Sequence, residues 1–150
     1  MSALRHGVLI SAALLSGCAA KEPGRTEKGD IKVLGGYAYA PVGPEAAAYV
    51  SLQNVGKAED TLLSVESSFA GKVTVHDSRA DGGAVRMIEL DRLVIPGGLV
   101  VEMAPGGLHL MLSELRMELP AGKSLPLRLQ FARAGLVEIE VPIAKYGEPR

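Results

Sequence analysis

Two histidines and two methionines are the residues of this chain best suited to chemistry. Ten residues separate His76 from Met87, and twenty-one more separate Met87 from His109, which is followed closely by Met111. The remaining histidine, His6, lies in a segment expected to be cleaved. Imidazole nitrogen is a borderline ligand, and thioether sulfur is a soft one. Such a set, with no thiolate and no carboxylate, suits copper and above all Cu(I), because thioethers bind soft ions far better than zinc, magnesium or calcium.

The segments that carry these residues have the pattern of β-strands. From Ile31 onward, short stretches alternate between apolar and polar residues, with Gly- or Pro-containing turns between them. This pattern predicts an all-β fold, either an antiparallel sandwich or a small barrel. No long stretch has a convincing helical period, and 112–119 is the most ambiguous segment. The predicted strands are Ala48–Leu52, Lys72–His76, Leu99–Met103, Leu108–Leu112, Leu125–Phe131 and Leu136–Ile143.

The first two candidate ligands flank a predicted hairpin. Residues 81–83, Asp-Gly-Gly, form a plausible turn between strands at 73–78 and 85–90. His76 and Met87 are then opposite or diagonal partners across the hairpin, where long side chains reach each other. One rigid hairpin therefore supplies one His/Met pair.

The second pair occupies one strand. His109 and Met111 are two residues apart, so their side chains project from the same face. Leu108, Leu110 and Leu112 take the other face, which is expected to be the core. The histidine and methionine are therefore expected to point outward, where they can surround one ion together with the hairpin pair.

A simpler interpretation applies to each residue alone. A single histidine is most often a surface or hydrogen-bonded residue, and a single methionine usually fills a core. We take Met103 and Met117 as such filler. This interpretation is weaker for His76, Met87, His109 and Met111 taken together, which are called the array below. Both histidines beyond His6 belong to one of its two His/Met pairs.

The N-terminus has the features of an exported lipoprotein. An apolar run at 8–15 is too short to span a bilayer. It ends in Leu-Ser-Gly-Cys, which resembles the lipobox of bacterial lipoproteins, so Cys18 is expected to be lipidated. The alternative is an unpaired thiol near an ordinary cleavage site. Acyl chains on Cys18 would hold the protein on a membrane from the periplasm, and Ala19 after the cysteine favours the outer membrane weakly.

These features divide the chain into three parts. Residues 1–17 form the signal peptide, 18–30 the lipidated cysteine and a polar, flexible tether, and 31–150 a single β-domain. Net charge is −1, with basic residues scattered, so nucleic acid is not an expected partner. No Ser/His/Asp arrangement is available because the array contains both histidines, and an enzyme is therefore not expected. Carboxylates such as Glu89 and Glu138 are taken as a solvated strand face.

The array and its surroundings resemble the PCu(A)C-type periplasmic copper chaperones. The shared features are the spacing His-x10-Met-x21-His-x-Met, the strand at 48–54, the Arg-Met of the hairpin, and the segments 93–98 and 105–112. The resemblance covers residues 31–143. It departs from some members at Asp77, where they carry a second methionine. The segment Lys145–Arg150 also lacks their Met- and His-rich tail, which puts a second copper site in doubt.

The resemblance implies a cupredoxin-like Greek-key β-sandwich. It also implies that His76, Met87, His109 and Met111 bind Cu(I) and that the copper is delivered to the Cu(A) centre of respiratory cytochrome oxidase, alone or with a Sco-type thiol protein. A copper-sequestering lipoprotein without a client uses the same ligands and remains the alternative. Electron transfer is not expected, since a blue-copper centre needs a cysteine thiolate.

Overall fold

Every regular element in the described part of the chain, residues 26–148 of a computed structural model, is a β-strand. The all-β prediction is confirmed, and this range contains no helix capable of crossing a membrane. The strands are β1 (Thr26–Lys28), β2 (Ile31–Tyr39), β3 (Ala46–Asn54), β4 (Asp60–Glu66), β5 (Ala70–Asp81), β6 (Ala84–Leu90), β7 (Leu93–Ile95), β8 (Val100–Glu102), β9 (Leu108–Leu115), β10 (Ser124–Phe131) and β11 (Leu136–Ala144).

The strands form two sheets that are joined by one short pairing between β2 and β11. Pairing runs in the order β6-β5-β9-β3-β2-β11-β10-β4-β7, with β1 added to β2 and β8 added to β3. The link between β2 and β11 is parallel and consists of two residue pairs, Ala38 with Ile143 and Tyr39 with Ala144. On one side of this junction lies the first sheet, which contains β5, β6 and β9. On the other side lies the second sheet, which contains β4, β7, β10 and β11. All the candidate ligands therefore lie on the first sheet.

The two sheets bury one hydrophobic core. Alternation with a period of two residues produces it, because every second side chain of a strand points to the same side. Burial of each large apolar side chain contributes about 1.5–3 kcal/mol, so this core holds the first sheet in place from behind. Its fully buried members include Leu52 and Leu110 of the first sheet and Leu125, Leu127, Leu129, Phe131 and Val141 of the second.

Asn54, the last residue of β3, connects the two sheets. Its side chain is fully buried and donates from Nδ2 to the Ile95 and Ala58 carbonyl oxygens at 3.0 and 2.9 Å. Its Oδ1 accepts from the Gly56 amide at 2.9 Å. The amide thus satisfies three backbone groups where β3 of the first sheet meets β7 of the second.

Strand β1 lies inside 18–30, the segment for which the sequence predicts a tether. Residues 26–28 pair with β2 in antiparallel register. The rest of the predicted tether, Cys18 and the predicted signal peptide lie outside the described residues. The ambiguous segment 112–119 continues β9 as far as Leu115 and contains no helix.

Candidate metal centre

The two histidines face each other across the pairing of β5 with β9. His76 lies directly opposite His109 in this antiparallel register. Their ring centroids are 5.7 Å apart, and the ring planes are tilted by 69°. On the other side of the same strands, Val75 is paired with Leu110 and both are buried in the core. Alternation therefore anchors the strands on the core side and places the imidazoles together on the opposite face.

The hairpin between β5 and β6 adds the first methionine. Gly82 and Gly83 both have positive φ, +57° and +88°, as the tight turn that matches strand twist requires. The resulting register pairs His76 with Glu89 and Ser78 with Met87. Met87 is therefore the diagonal neighbour of His76 on the same face, one of the two arrangements expected from the sequence.

The second methionine, Met111, lies on β9 two residues beyond His109. Met111 is opposite Thr74 on β5 and opposite Ala47 on β3. It shares its face with His109 because the two are separated by one residue on β9. The four candidate ligands thus occupy one face of three adjacent strands, in the order β6, β5 and β9.

Solvent exposure differs strongly across this face. His109 is only 6% exposed, the His76 side chain is 16% exposed, and Met87 is 49% exposed. His109 lies on the face opposite the core, as expected, although it is buried there. The rings of Tyr49 and His76 flank it, with ring centroids 6.5 and 5.7 Å away. Exposure therefore increases from His109 on β9 through His76 on β5 to Met87 on the edge strand β6.

Hydrogen bonds leave one nitrogen of each imidazole available. His109 Nδ1 is 2.9 Å from the Gly107 carbonyl oxygen, which accepts its N–H and leaves Nε2 with a lone pair. His76 Nε2 is 3.1 Å from Thr74 Oγ1, whereas its Nδ1 is buried and has no hydrogen-bond partner. A buried polar atom without a partner is costly, and a coordinated ion would satisfy it. The histidine pair therefore fits a metal ligand set.

A carboxylate that the sequence assigned to a solvated face lies beside this pair. Glu89 Oε2 is 3.6 Å from His76 Nε2, and Glu89 Oε1 is 3.3 Å from Lys72 Nζ. The signal was present in the sequence, because Glu89 follows Met87 by two residues and shares its strand face. Even so, no group of three His, Cys, Asp or Glu side chains suited to a metal occurs between residues 26 and 148. The candidate centre thus depends on its thioethers.

Between residues 26 and 148, the two methionines outside the array differ in their exposure. Met103 is 3% exposed and belongs to the core, as expected. The same expectation is wrong for Met117, which is 53% exposed. After β9 ends at Leu115 the chain leaves the sheet, and Leu119 is the side chain that enters the core there.

All four tyrosines of the chain cluster beside the histidines, a feature the sequence analysis missed. The rings of Tyr37, Tyr39 and Tyr49 contact one another, and Tyr146 packs on Tyr39. Burial raises the pKa of the Tyr49 phenol, and the neighbouring Tyr37, Tyr39 and Tyr146 raise it further. Three of these rings and Met111 line an open groove of about 430 Å³. One thioether of the array is thus reachable from this groove.

Comparison with known proteins defines the family. The LpqE-like family model, described as "Putative lipoprotein LpqE-like", matches residues 31–143, and the chain belongs to this family. A relative from Leifsonia xyli subsp. xyli, "Putative lipoprotein Lxx21020", is 29% identical over 139 residues, which covers 88% of this chain and 83% of the relative. "Uncharacterized protein RP573" of Rickettsia prowazekii is 28% identical over 57% of this chain and 48% of its own length.

Solved structures confirm the resemblance to PCu(A)C-type proteins and the cupredoxin-like fold. The "Copper-bound PCuAC domain from PmoF2" has a TM-score of 0.70 and 26% identity, and covers 81% of this chain and 97% of that domain. The "Apo PCuAC domain from PmoF1" gives 0.71 and 25%, over 81% of this chain and 98% of that one. A "Solution structure of CuI-DR1885 from Deinococcus Radiodurans" gives 0.64 and 20%, over 84% of each chain, and supports the fold alone.

Proposed function

We propose that this protein is a copper chaperone that binds one Cu(I) ion through His76, Met87, His109 and Met111. It delivers the ion to respiratory cytochrome oxidase for assembly of the Cu(A) site. The observation that carries the proposal is the unpaired, buried Nδ1 of His76, opposite His109 on a strand face that also holds two thioethers. The copper-bound domain with 26% identity supports the choice of metal.

The ligand types suit temporary binding of Cu(I). All four are neutral when they coordinate, and thioether sulfur prefers the soft monovalent ion. No cysteine occurs between residues 26 and 148, so no thiolate is available there to form a blue-copper centre. The copper ion is held by exchangeable ligands. In this proposal the protein carries the ion and supplies no redox or hydrolytic chemistry of its own.

The exposure gradient gives a route for transfer. Met87 on the edge strand is half exposed, so a ligand of the client can replace it first. Met111 is reachable through the tyrosine-lined groove and can be replaced next. The two histidines are held by β5–β9 pairing and leave the ion last. Stepwise replacement of this kind keeps the copper coordinated throughout the exchange.

The proposed location is the periplasmic side of a membrane, with the outer membrane favoured weakly. Lipidation of Cys18 would anchor the domain, and the lipoprotein names of the family and of the Leifsonia relative support this. A single acyl chain binds a membrane only marginally, so stable anchoring requires the multiple chains of a bacterial lipoprotein. A Sco-type thiol protein is the proposed second partner.

Copper transfer to a purified apo domain of oxidase subunit II tests this function. Protein loaded with Cu(I) is mixed with the apo domain, with and without a reduced Sco-type protein, and the Cu(A) absorption and EPR signals are followed. Transfer by wild type and by Met117→Ala, and loss of loading in His109→Ala, would support delivery. Retention of the copper by wild type in both mixtures would contradict delivery and favour the sequestering alternative.

A further inference from the structure

We propose that the two histidines bind copper through different nitrogens, His76 through Nδ1 and His109 through Nε2. We further propose that Thr74 and Glu89 impose this difference by holding the His76 proton on Nε2. The inference rests on the proposed copper site and adds positioning residues to it. Neither Thr74 nor Glu89 is a ligand in this arrangement.

The proton of His109 is placed by a backbone group. The Gly107 carbonyl oxygen can only accept, and it lies 2.9 Å from His109 Nδ1. The proton is therefore on Nδ1, and Nε2 has the lone pair that a metal requires.

The two neutral tautomers of His76 differ sharply in their surroundings. With the proton on Nδ1, a buried N–H has no acceptor, and the Nε2 lone pair faces the Glu89 carboxylate at 3.6 Å. With the proton on Nε2, the N–H donates to Thr74 Oγ1 at 3.1 Å and is favoured by the negative charge of Glu89. A buried donor without an acceptor costs about 1–3 kcal/mol. The second tautomer avoids this cost and leaves the Nδ1 lone pair for copper.

Glu89 is held beside His76 by strand pairing and by one exposed ion pair. It lies directly opposite His76 in the β5–β6 register. Lys72 Nζ contacts its other carboxylate oxygen, Oε1, at 3.3 Å. Because His76 Nδ1 is buried from water, no solvent molecule can compensate for a proton in the wrong position. Glu89 and Thr74 therefore act on copper only through the imidazole of His76.

Long-range 15N–1H NMR spectra of the imidazole rings test this directly in the apo protein. The expected result is a proton on Nε2 of His76 and on Nδ1 of His109. Addition of Cu(I) under anaerobic conditions should shift the 15N resonances of His76 Nδ1 and His109 Nε2. A proton on Nδ1 of apo His76, or a Cu(I)-induced shift confined to its Nε2, would overturn the inference.

Matched variants separate positioning from a general effect of charge. Glu89→Gln should lower Cu(I) affinity roughly 10-fold and raise the population of the Nδ1–H form of His76. Glu140→Gln, at an exposed glutamate of β11, should change neither. Thr74→Val should weaken binding, and Thr74→Ser, which keeps a hydroxyl, should restore it. Weaker binding in Glu89→Gln with an unchanged tautomer would contradict positioning by Glu89.

The same experiments distinguish the two levels of the proposal. A wild-type protein that binds no Cu(I) contradicts the proposed function. A wild-type protein that binds Cu(I) through Nε2 of His76 contradicts only the present inference.

Discussion

His76 and His109 occupy directly opposed positions on β5 and β9, with their rings edge to face at 5.7 Å. Both strands are anchored behind the rings by core residues, of which Leu110 is fully buried. Met87, in contrast, lies on the edge strand of a hairpin and is half exposed. The candidate centre therefore combines a fixed pair of nitrogen ligands with a more accessible sulfur ligand.

The thioethers of Met87 and Met111 should contribute most of the selectivity for Cu(I). Replacing either with alanine should weaken Cu(I) binding by more than about 10-fold, because loss of a ligand costs at least as much as loss of an outer-shell partner. Zn(II) binding, which relies on the imidazoles, should change little. Competition with a chromogenic Cu(I) chelator measures the affinities.

Two other methionines serve as controls for this experiment. Met117→Ala removes an exposed side chain and should leave both affinity and stability unchanged. Met103→Ala opens a cavity in the core and should cost about 2–5 kcal/mol of unfolding free energy, while the folded protein still binds copper. Equal losses of affinity at all four methionines would contradict the assigned ligands.

Acidification should release the copper in part. Imidazole must be unprotonated to coordinate, so protons compete with Cu(I) at His76 and His109. Affinity should therefore fall as the pH is lowered from about 7.5 to about 5. The thioethers do not titrate, so weak binding should persist. An affinity that stays constant over this range would exclude imidazole ligation.

Tyr49 should make the fold sensitive to alkali. Burial and the neighbouring tyrosines raise the pKa of Tyr49 above its ordinary value of 10.0. Above pH about 10 the unfolded chain releases this proton while the folded protein still retains it. The stabilising contribution is therefore complete below that pH and is lost as the pH rises toward the raised pKa.

Tyr49→Phe should flatten this pH dependence. Urea unfolding between pH about 9 and about 11 measures it, since phenylalanine keeps the ring and has no phenol to titrate. A variant whose stability declines with pH as steeply as wild type would show that another group is responsible.

Asn54→Ala should destabilise the fold by about 3 kcal/mol, because it leaves the Ile95 and Ala58 carbonyls and the Gly56 amide without their partner. Chemical denaturation measures this change. Cu(I) affinity of the folded variant should equal that of wild type, since Asn54 lies about 23 Å along β3 from Ala47, the neighbour of Met111. A loss of copper affinity would indicate that the connection between the sheets positions the ligands.

Much of this architecture followed from local patterns in the sequence. Alternation predicted β3, β5, β6 and β8 to β11, although β2 and β4 were not among the predicted strands. The Gly82-Gly83 turn predicted the β5–β6 hairpin, because two consecutive positive φ values favour glycine. The spacing of His109 and Met111 fixed their common face, since side chains on a strand alternate. The residue types alone selected a soft metal ion.

Apart from the β5–β6 hairpin, only the tertiary structure decided which strands pair and what covers their side chains. The β5–β9 register that opposes His76 to His109 depends on apolar surfaces from distant segments being buried together, which no local pattern specifies. The same applies to the shielding of His109 by Tyr49 and to the exposure of Met117. Glu89 shares a face with Met87 by sequence. Its contact with His76, whose Nδ1 is buried and unpaired, arises from strand pairing, because pairing alone sets which residues stand opposite each other.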